Sequence, residues 1–257
     1  ELHGDIGGFA VGGRYGRQEF TDGASTLISQ RDNSTVRTVV NGLRGWVRSA
    51  TVRADLFDLH PTTYGIEGIA DEDVDKARRF SGITAGIVLP RTVLGKSSLF
   101  LDPIFWRLRN RSQAWGTRTA REERFYYGAR LWGEAGRAVI DWTVDYQSGR
   151  FDDRDISAWQ VIAAQTYRLG EASTAPRIGA HFDYGSGGGA FDRGTLHAAL
   201  SPYANGPYFS YALFLAPTNL MAAAGNFTVS PIKRVRLTTE YQFVGRQAED
   251  DAVYKSN

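Results

Sequence analysis

Residues 139–147 alternate almost without a break. Ile140, Trp142, Val144 and Tyr146 point one way, and Asp141, Thr143, Asp145 and Gln147 point the other. Successive side chains of a strand face opposite sides, so this stretch has one greasy, aromatic face and one charged face. A soluble sandwich hides such a greasy face against a second sheet. A membrane barrel does the inverse, turning it to lipid and keeping the charge inside.

The pattern recurs. Val52, Ala54 and Leu56 oppose Arg53 and Asp55, while Phe125, Tyr127, Ala129 and Leu131 oppose Tyr126, Arg130, Trp132 and Glu134. Trp159, Val161, Ala163, Tyr167 and Leu169 oppose Gln160, Thr166 and Arg168; Ile178, Ala180, Phe182 and Tyr184 oppose Arg177, His181 and Asp183. Val235, Leu237, Tyr241 and Phe243 oppose Arg236, Thr238, Glu240 and Gln242. Each window is about ten residues, the length that crosses a bilayer when tilted ~45°. Eleven strands are predicted: 8–20, 38–48, 51–60, 81–90, 97–109, 124–133, 138–147, 156–168, 176–184, 219–230 and 235–246. The connections alternate in length. They are short near 49–50, 91–97, 133–137, 170–176 and 231–234, and longer at 60–80, 110–123, 147–155 and 185–217. Outer-membrane barrels show this asymmetry. The expected fold is all-β, an antiparallel up-and-down transmembrane β-barrel, with 1–257 as a single domain. The odd strand count and the polar tail 252–257 are read as a barrel cut at both ends.

Composition excludes other classes. With no Cys there is neither a disulfide framework nor a Cys-based metal site. A net charge of +2 gives no case for nucleic acid. No apolar run reaches the ~18 residues of a membrane helix, and a mean hydropathy of −0.33 suits a barrel whose strands are half polar. The first residues, Glu1-Leu2-His3-Gly4, show no basic start, apolar run or cleavage site, so no signal peptide is read there. No cofactor and no metal are expected.

The four lysines, Lys76, Lys96, Lys233 and Lys255, all fall in predicted turns, loops or the tail, so every cation inside a predicted strand is an arginine. Arg44, Arg48, Arg53, Arg107, Arg109, Arg130, Arg168, Arg177 and Arg236 are assigned to the polar face, with Asp55, Asp141, Asp145, Asp183 and Glu240. These residues can form cross-strand ion pairs in a barrel wall. They can also line a conduit that steers acidic solutes. Both readings hold together.

Two alternatives stand beside the channel. An outer-membrane barrel enzyme would place His181 and Asp183 near Ser186 or Ser201 in a Ser-His-acid site. No GxSxG elbow or HExxH site supports it, and no catalytic residue is assigned. A soluble carbohydrate-binding β protein would stack sugars on Trp46, Trp106, Trp115, Trp132, Trp142 or Trp159; Trp142 and Trp159 are read instead as lipid or interfacial contacts. The run GSGGG at 185–189 is read as a flexible loop. The acidic clusters at 71–73, 152–155 and 249–251 are read as solvated tips rather than Ca²⁺ sites.

Six segments share a further likeness: RYGRQEF (14–20), LISQRDNSTVRTVVNGLR (27–44), YYGARLWGEAG (126–136), YQSGRFDDRDISAW (146–159), GTLHAALSPYANGPYFSYALFLAPTNL (194–220) and VRLTTEYQFVGRQAEDDAVY (235–254). In this order the chain resembles the alginate export outer-membrane barrels over nearly its whole length. The resemblance implies an eighteen-stranded barrel, of which this chain would hold the middle and later part, in the outer membrane of a Gram-negative cell. It implies a porin-like lumen rich in arginine and suited to polyuronate, passing anionic oligosaccharide or small anionic solutes. Arg17, Arg44, Arg130 and Arg177 are the positions it carries into the lumen, with Asp183 and Glu240 as acidic partners; parity adds His181. Outer-membrane lipid and periplasmic export partners would be the remaining partners.

Overall fold

Nearest-neighbour antiparallel pairing builds the sheet. The computed structural model describes residues 1–21, 27–30, 38–65, 68–172, 174–204, 208, 215–232 and 234–255, with backbone alone at 68–71. Its strands are β1 Leu2–Ile6, β2 Phe9–Gln18, β3 Val40–Arg48, β4 Val52–Gly65, β5 Gly68–Val74, β6 Arg78–Val88, β7 Ser97–Trp115, β8 Arg118–Ala135, β9 Ala138–Phe151, β10 Arg154–Arg168, β11 Arg177–Gly185, β12 Leu220–Ile232 and β13 Val235–Gly245. One 13-stranded sheet runs from β1 to β13, with β5 hanging from β4, which pairs onward with β6. Among the described residues β1 and β13 are each paired on one side only.

All eleven predicted strands are present, and two more join them. β1 and β5 are short, and their residues (LHGDI, GIADEDV) carry too few apolar side chains to show alternation. The connections at 110–123 and 147–155 are not loops. β7 and β8 run on for 19 and 18 residues to a two-residue turn, and β9 and β10 do the same. Residues 111–123 are mostly polar, with Trp115 their one large apolar side chain, so hydrophobic alternation has nothing to report there. Backbone pairing continues nonetheless, from Gln113↔Ala120 to Trp115↔Arg118 beyond a register shift after Asn110. At about 3.4 Å per residue β7 is roughly 60 Å long. A tilted membrane strand needs only ~10 residues, so the hairpin projects past the bilayer. All turns at one end of the sheet are short, the longest being 169–176 and 89–96; the long connections 19–39 and 186–219 and the tail after β13 share the other end. We name these the turn end and the loop end. Lys76, Lys96 and Lys255 lie outside strands; Lys233 lies outside the described residues.

Register separates the two faces. Val52, Ile87, Leu101, Leu131, Trp142, Ala163, Phe182, Ala223 and Phe243 are successive cross-strand partners, so one unbroken apolar row crosses nine strands. Nearer the loop end, Ile83, Phe105, Tyr127, Tyr146 and Trp159 form a second row, largely aromatic. Trp159 is 50% exposed, whereas Arg124 and Gln147 on the opposite face are 0% exposed. An apolar face left open over a buried polar one inverts the soluble pattern, and so large an apolar surface marks contact with a membrane or partner.

The opposite, inner face has an apolar seat at its loop end. Phe57, Phe80, Trp106 and Tyr126 step across β4, β6, β7 and β8 with ring centroids 5.1, 5.8 and 6.2 Å apart. Tyr203, from the connection after β11, packs edge-on against Phe80 at 5.6 Å and forms a bridge with Ile28. Each such side chain removed from water contributes about 1.5–3 kcal/mol. The glycine run 185–189 is close-packed here. A Cβ at Gly185 would lie 2.2 Å from the Pro217 carbonyl oxygen, and the Gly187 and Gly188 amides donate to Gln247 and Asp251 at 2.8 and 2.6 Å. The expectation of a flexible loop is thereby corrected: glycine is used for close approach. Asp251, expected at a solvated tip, is 3% exposed and also accepts from the Tyr254 hydroxyl at 2.7 Å.

Candidate functional site

Below the apolar seat, towards the turn end, the inner face is charged. Arg44 of β3 donates to Asp55 of β4 from Nε and Nη2 at 2.9 and 2.6 Å; Arg48 reaches the same carboxylate at 4.0 Å. Arg53 donates to Asp102 of β7 at 3.2 Å, and the Trp132 indole donates to that carboxylate at 2.8 Å. Arg130 grips Asp141 with two bonds of 2.7 Å and lies 4.9 Å above the Trp132 ring. Two parallel bonds fix orientation as well as charge. Further along, His181 Nδ1 sits 2.6 Å from Asp183 and its Nε2 3.9 Å from Glu240, while Tyr208 donates to Asp183 at 3.2 Å. Arg168 and Arg177 are direct cross-strand partners, with no acid partner among the described residues, and the Arg168 Nε is buried without an acceptor. Arg236 shares this face and is exposed.

Three expected lumen residues lie on the other face. Arg17 shares the outer parity with Tyr15 and pairs with Glu72 of β5. Arg107 and Arg109 follow Phe105 outward and share one Glu123 oxygen, Arg109 at 2.9 Å. The polar-face assignment fails because charge does not mark the inner side beyond the apolar belt. At Arg107 and Arg109 the inner side instead holds Trp106 and Leu108 of the apolar seat, and counting register from Phe105 gives the direction.

Arg14, Arg78, Arg124 and Arg154 are among the inner arginines that escaped the sequence reading. Arg14, three residues before Arg17, pairs with Glu1. Arg124 is buried with Glu122 at 2.8 Å and also donates to Gln147 and the Ala198 carbonyl at 2.6 and 2.8 Å. Arg154 donates to the Gly194 carbonyl at 2.7 Å. The signal for Arg124 was present, since it precedes Tyr126 by two and so shares its parity.

His181 and Asp183 do meet, as their spacing implied. Ser186, however, donates to the His197 carbonyl at 2.6 Å and accepts from the Trp159 amide at 2.8 Å, and Ser201 donates to Gln160 at 3.1 Å. Trp142 and Trp159 stand on the outer face.

An apolar outer face, a charged inner face and up-and-down topology describe a membrane barrel wall. The sequence model of one family, described as alginate export, matches residues 1–257. The chain belongs to the alginate export family. No curated protein matches the chain. The family is one of outer-membrane β-barrels that act as polysaccharide export channels. No helix among the described residues is long and apolar enough to cross a membrane; the membrane is crossed by strands.

Proposed function

We propose that this family member passes an anionic polysaccharide of the polyuronate type, and small anions, along an arginine-lined inner face, without covalent chemistry. The adjacent Arg168 and Arg177, neither of them in an ion pair among the described residues, are the observation that carries the reading. Like charges directly opposite in a sheet are destabilising, and among the described residues neither arginine makes an ion pair, although Glu134 lines the same small cleft. A passing carboxylate would relieve that repulsion. Arginine keeps its charge at every relevant pH and matches a carboxylate with two parallel donors. The paired arginines Arg44, Arg53 and Arg130 form the stiffer wall around them, with His181, Asp183, Glu240 and Arg236 on the same face. Outer-membrane lipid is the natural solvent for the apolar rows. The connection after β11, bound across the loop end, would gate the path.

The test is reversal potential across a planar bilayer under a salt gradient, using the full-length protein with Arg168→Gln and Arg177→Gln together. Anion preference is expected to fall several-fold, and block by an oligouronate to weaken with it. Unchanged selectivity in a channel that still inserts would overturn the steering claim.

A further inference from the structure

Outside the charged wall, the loop end holds a cavity of about 660 Å³ between the start of β6, the end of β7, the connection after β11 and the tail. That lies within the roughly 300–1,000 Å³ of small-ligand clefts. Like the conduit wall, it holds an arginine without an acid partner: among the described residues, Arg78 makes no ion pair, its Nε is buried without an acceptor, and its guanidinium lies 6.0 Å from the Tyr203 ring. Tyr203 also lines the cavity, and its hydroxyl is likewise buried without a partner among the described residues. Burial pushes this hydroxyl up to about 12, so it remains a donor at neutral pH. Unmet buried donors are costly to leave in a fold and gather where ligands bind. The half-buried ring of Tyr254 lines the same cavity. It is braced edge-on by Trp115 at 5.5 Å and tied through its hydroxyl to Asp251. Lys255 adds a second cation at the rim, against the single Asp75.

We infer that this cavity is a saccharide subsite, holding one acidic sugar residue with its carboxylate on Arg78, a ring oxygen or hydroxyl accepting from Tyr203, and its apolar face on Tyr254. The inference deepens the polyuronate reading and rests on it for the substrate class. It adds a fixed binding point at the loop end, formed by the strand extensions and the tail rather than by the barrel wall. Aromatic rings suit the C–H face of a sugar, while the unpaired guanidinium selects uronic acid over neutral hexose.

The experiment is calorimetric titration of the full-length protein in detergent with a tetrameric oligouronate and, in parallel, with a neutral tetrasaccharide. The oligouronate is expected to bind and the neutral sugar to bind at least tenfold more weakly. Arg78→Gln should lower oligouronate affinity about tenfold, and Tyr254→Ala by a similar factor. Tyr203→Phe, which removes one oxygen and keeps the packing, should lower it several-fold. Arg234→Gln, exposed at the turn end, should leave it unchanged. Unheated gel mobility equal to the parent's shows that a variant is folded. No binding by the parent, equal affinity for the neutral sugar, or full affinity in both Arg78→Gln and Tyr203→Phe would each overturn the subsite. The titration involves no transport. The conduit can therefore fail in the bilayer while the subsite stands, and the reverse.

Discussion

At Arg124 one guanidinium ties three parts of the chain together: its own β8 through Glu122, β9 through Gln147, and the connection after β11 through the Ala198 carbonyl. Both Arg124 and Glu122 are out of solvent, with side-chain exposures of 0% and 2%. Removing one member of such a pair strands the other's charge, at a cost of about 3–5 kcal/mol. Arg124→Met should therefore lower the temperature at which the unheated gel form is lost by many degrees. Arg79→Met breaks the pair with Asp58 on the outer side, where both partners are over a third exposed. Such pairs contribute about 0–1 kcal/mol, and the same gel assay should hardly register it. Equal shifts would contradict the burial argument. Single residues were the least legible part of the sequence. Charge identity was plain, and parity was plain wherever apolar residues alternated with it, as around Asp141 and Asp183. At Arg107 and Arg109 the apolar marker switches to the inner face with Trp106 and Leu108, so charge alone points the wrong way.

Elements were read with more success, because a strand declares itself over several residues. What the period-two signal omitted were β5 and the far halves of β7 and β8, where apolar residues do not alternate; the latter are held by backbone pairing, by the cluster around Trp115 and by ion pairs such as Arg118 with Asp152. A second signal was present and unused. Phe57, Leu59, Phe80, Trp106 and Leu108 are apolar on the side that should be polar, and they form the seat of the connection after β11. That connection is fastened by polar clamps as well. The Leu200 amide donates to Gln147 at 2.9 Å, and Gln160 donates to the Pro217 carbonyl at 2.9 Å. Ser201 of the same connection also donates to Gln160 at 3.1 Å. Each bond contributes about 0.5–1.5 kcal/mol net, so Gln147→Leu with Gln160→Leu weakens the hold by roughly 1.5–4.5 kcal/mol. If the segment gates the path, the double variant should show larger or more frequent open events in single-channel recordings, with the gel mobility unchanged. Identical recordings would mean that the segment is not the gate.

Over the whole molecule the two faces make opposite demands on the same kind of substitution. The row from Val52 to Phe243 carries no charge on any of its nine strands, and one strand position away the inner face carries Asp102, Arg130 and Asp183 in register. This inversion was legible from the first alternating window, because lipid and water sort side chains over every strand at once. Its depth in the bilayer was not, since that depends on the register linking the windows. Leu131 is the fourth residue of the row, between Leu101 and Trp142, so an arginine there would stand in hydrocarbon. Leu131→Arg should cost about 2–4 kcal/mol at the midplane. Gln242→Arg, on the inner face of β13, adds the same charge where water and Glu240 are near and should cost far less. Urea-dependent folding of the full-length protein into phospholipid vesicles measures both. Because an arginine snorkels, the penalty at Leu131 should shrink in a thinner bilayer while the value at Gln242 stays put. A penalty at Leu131 that ignored bilayer thickness would mean that this row packs against protein instead of lipid.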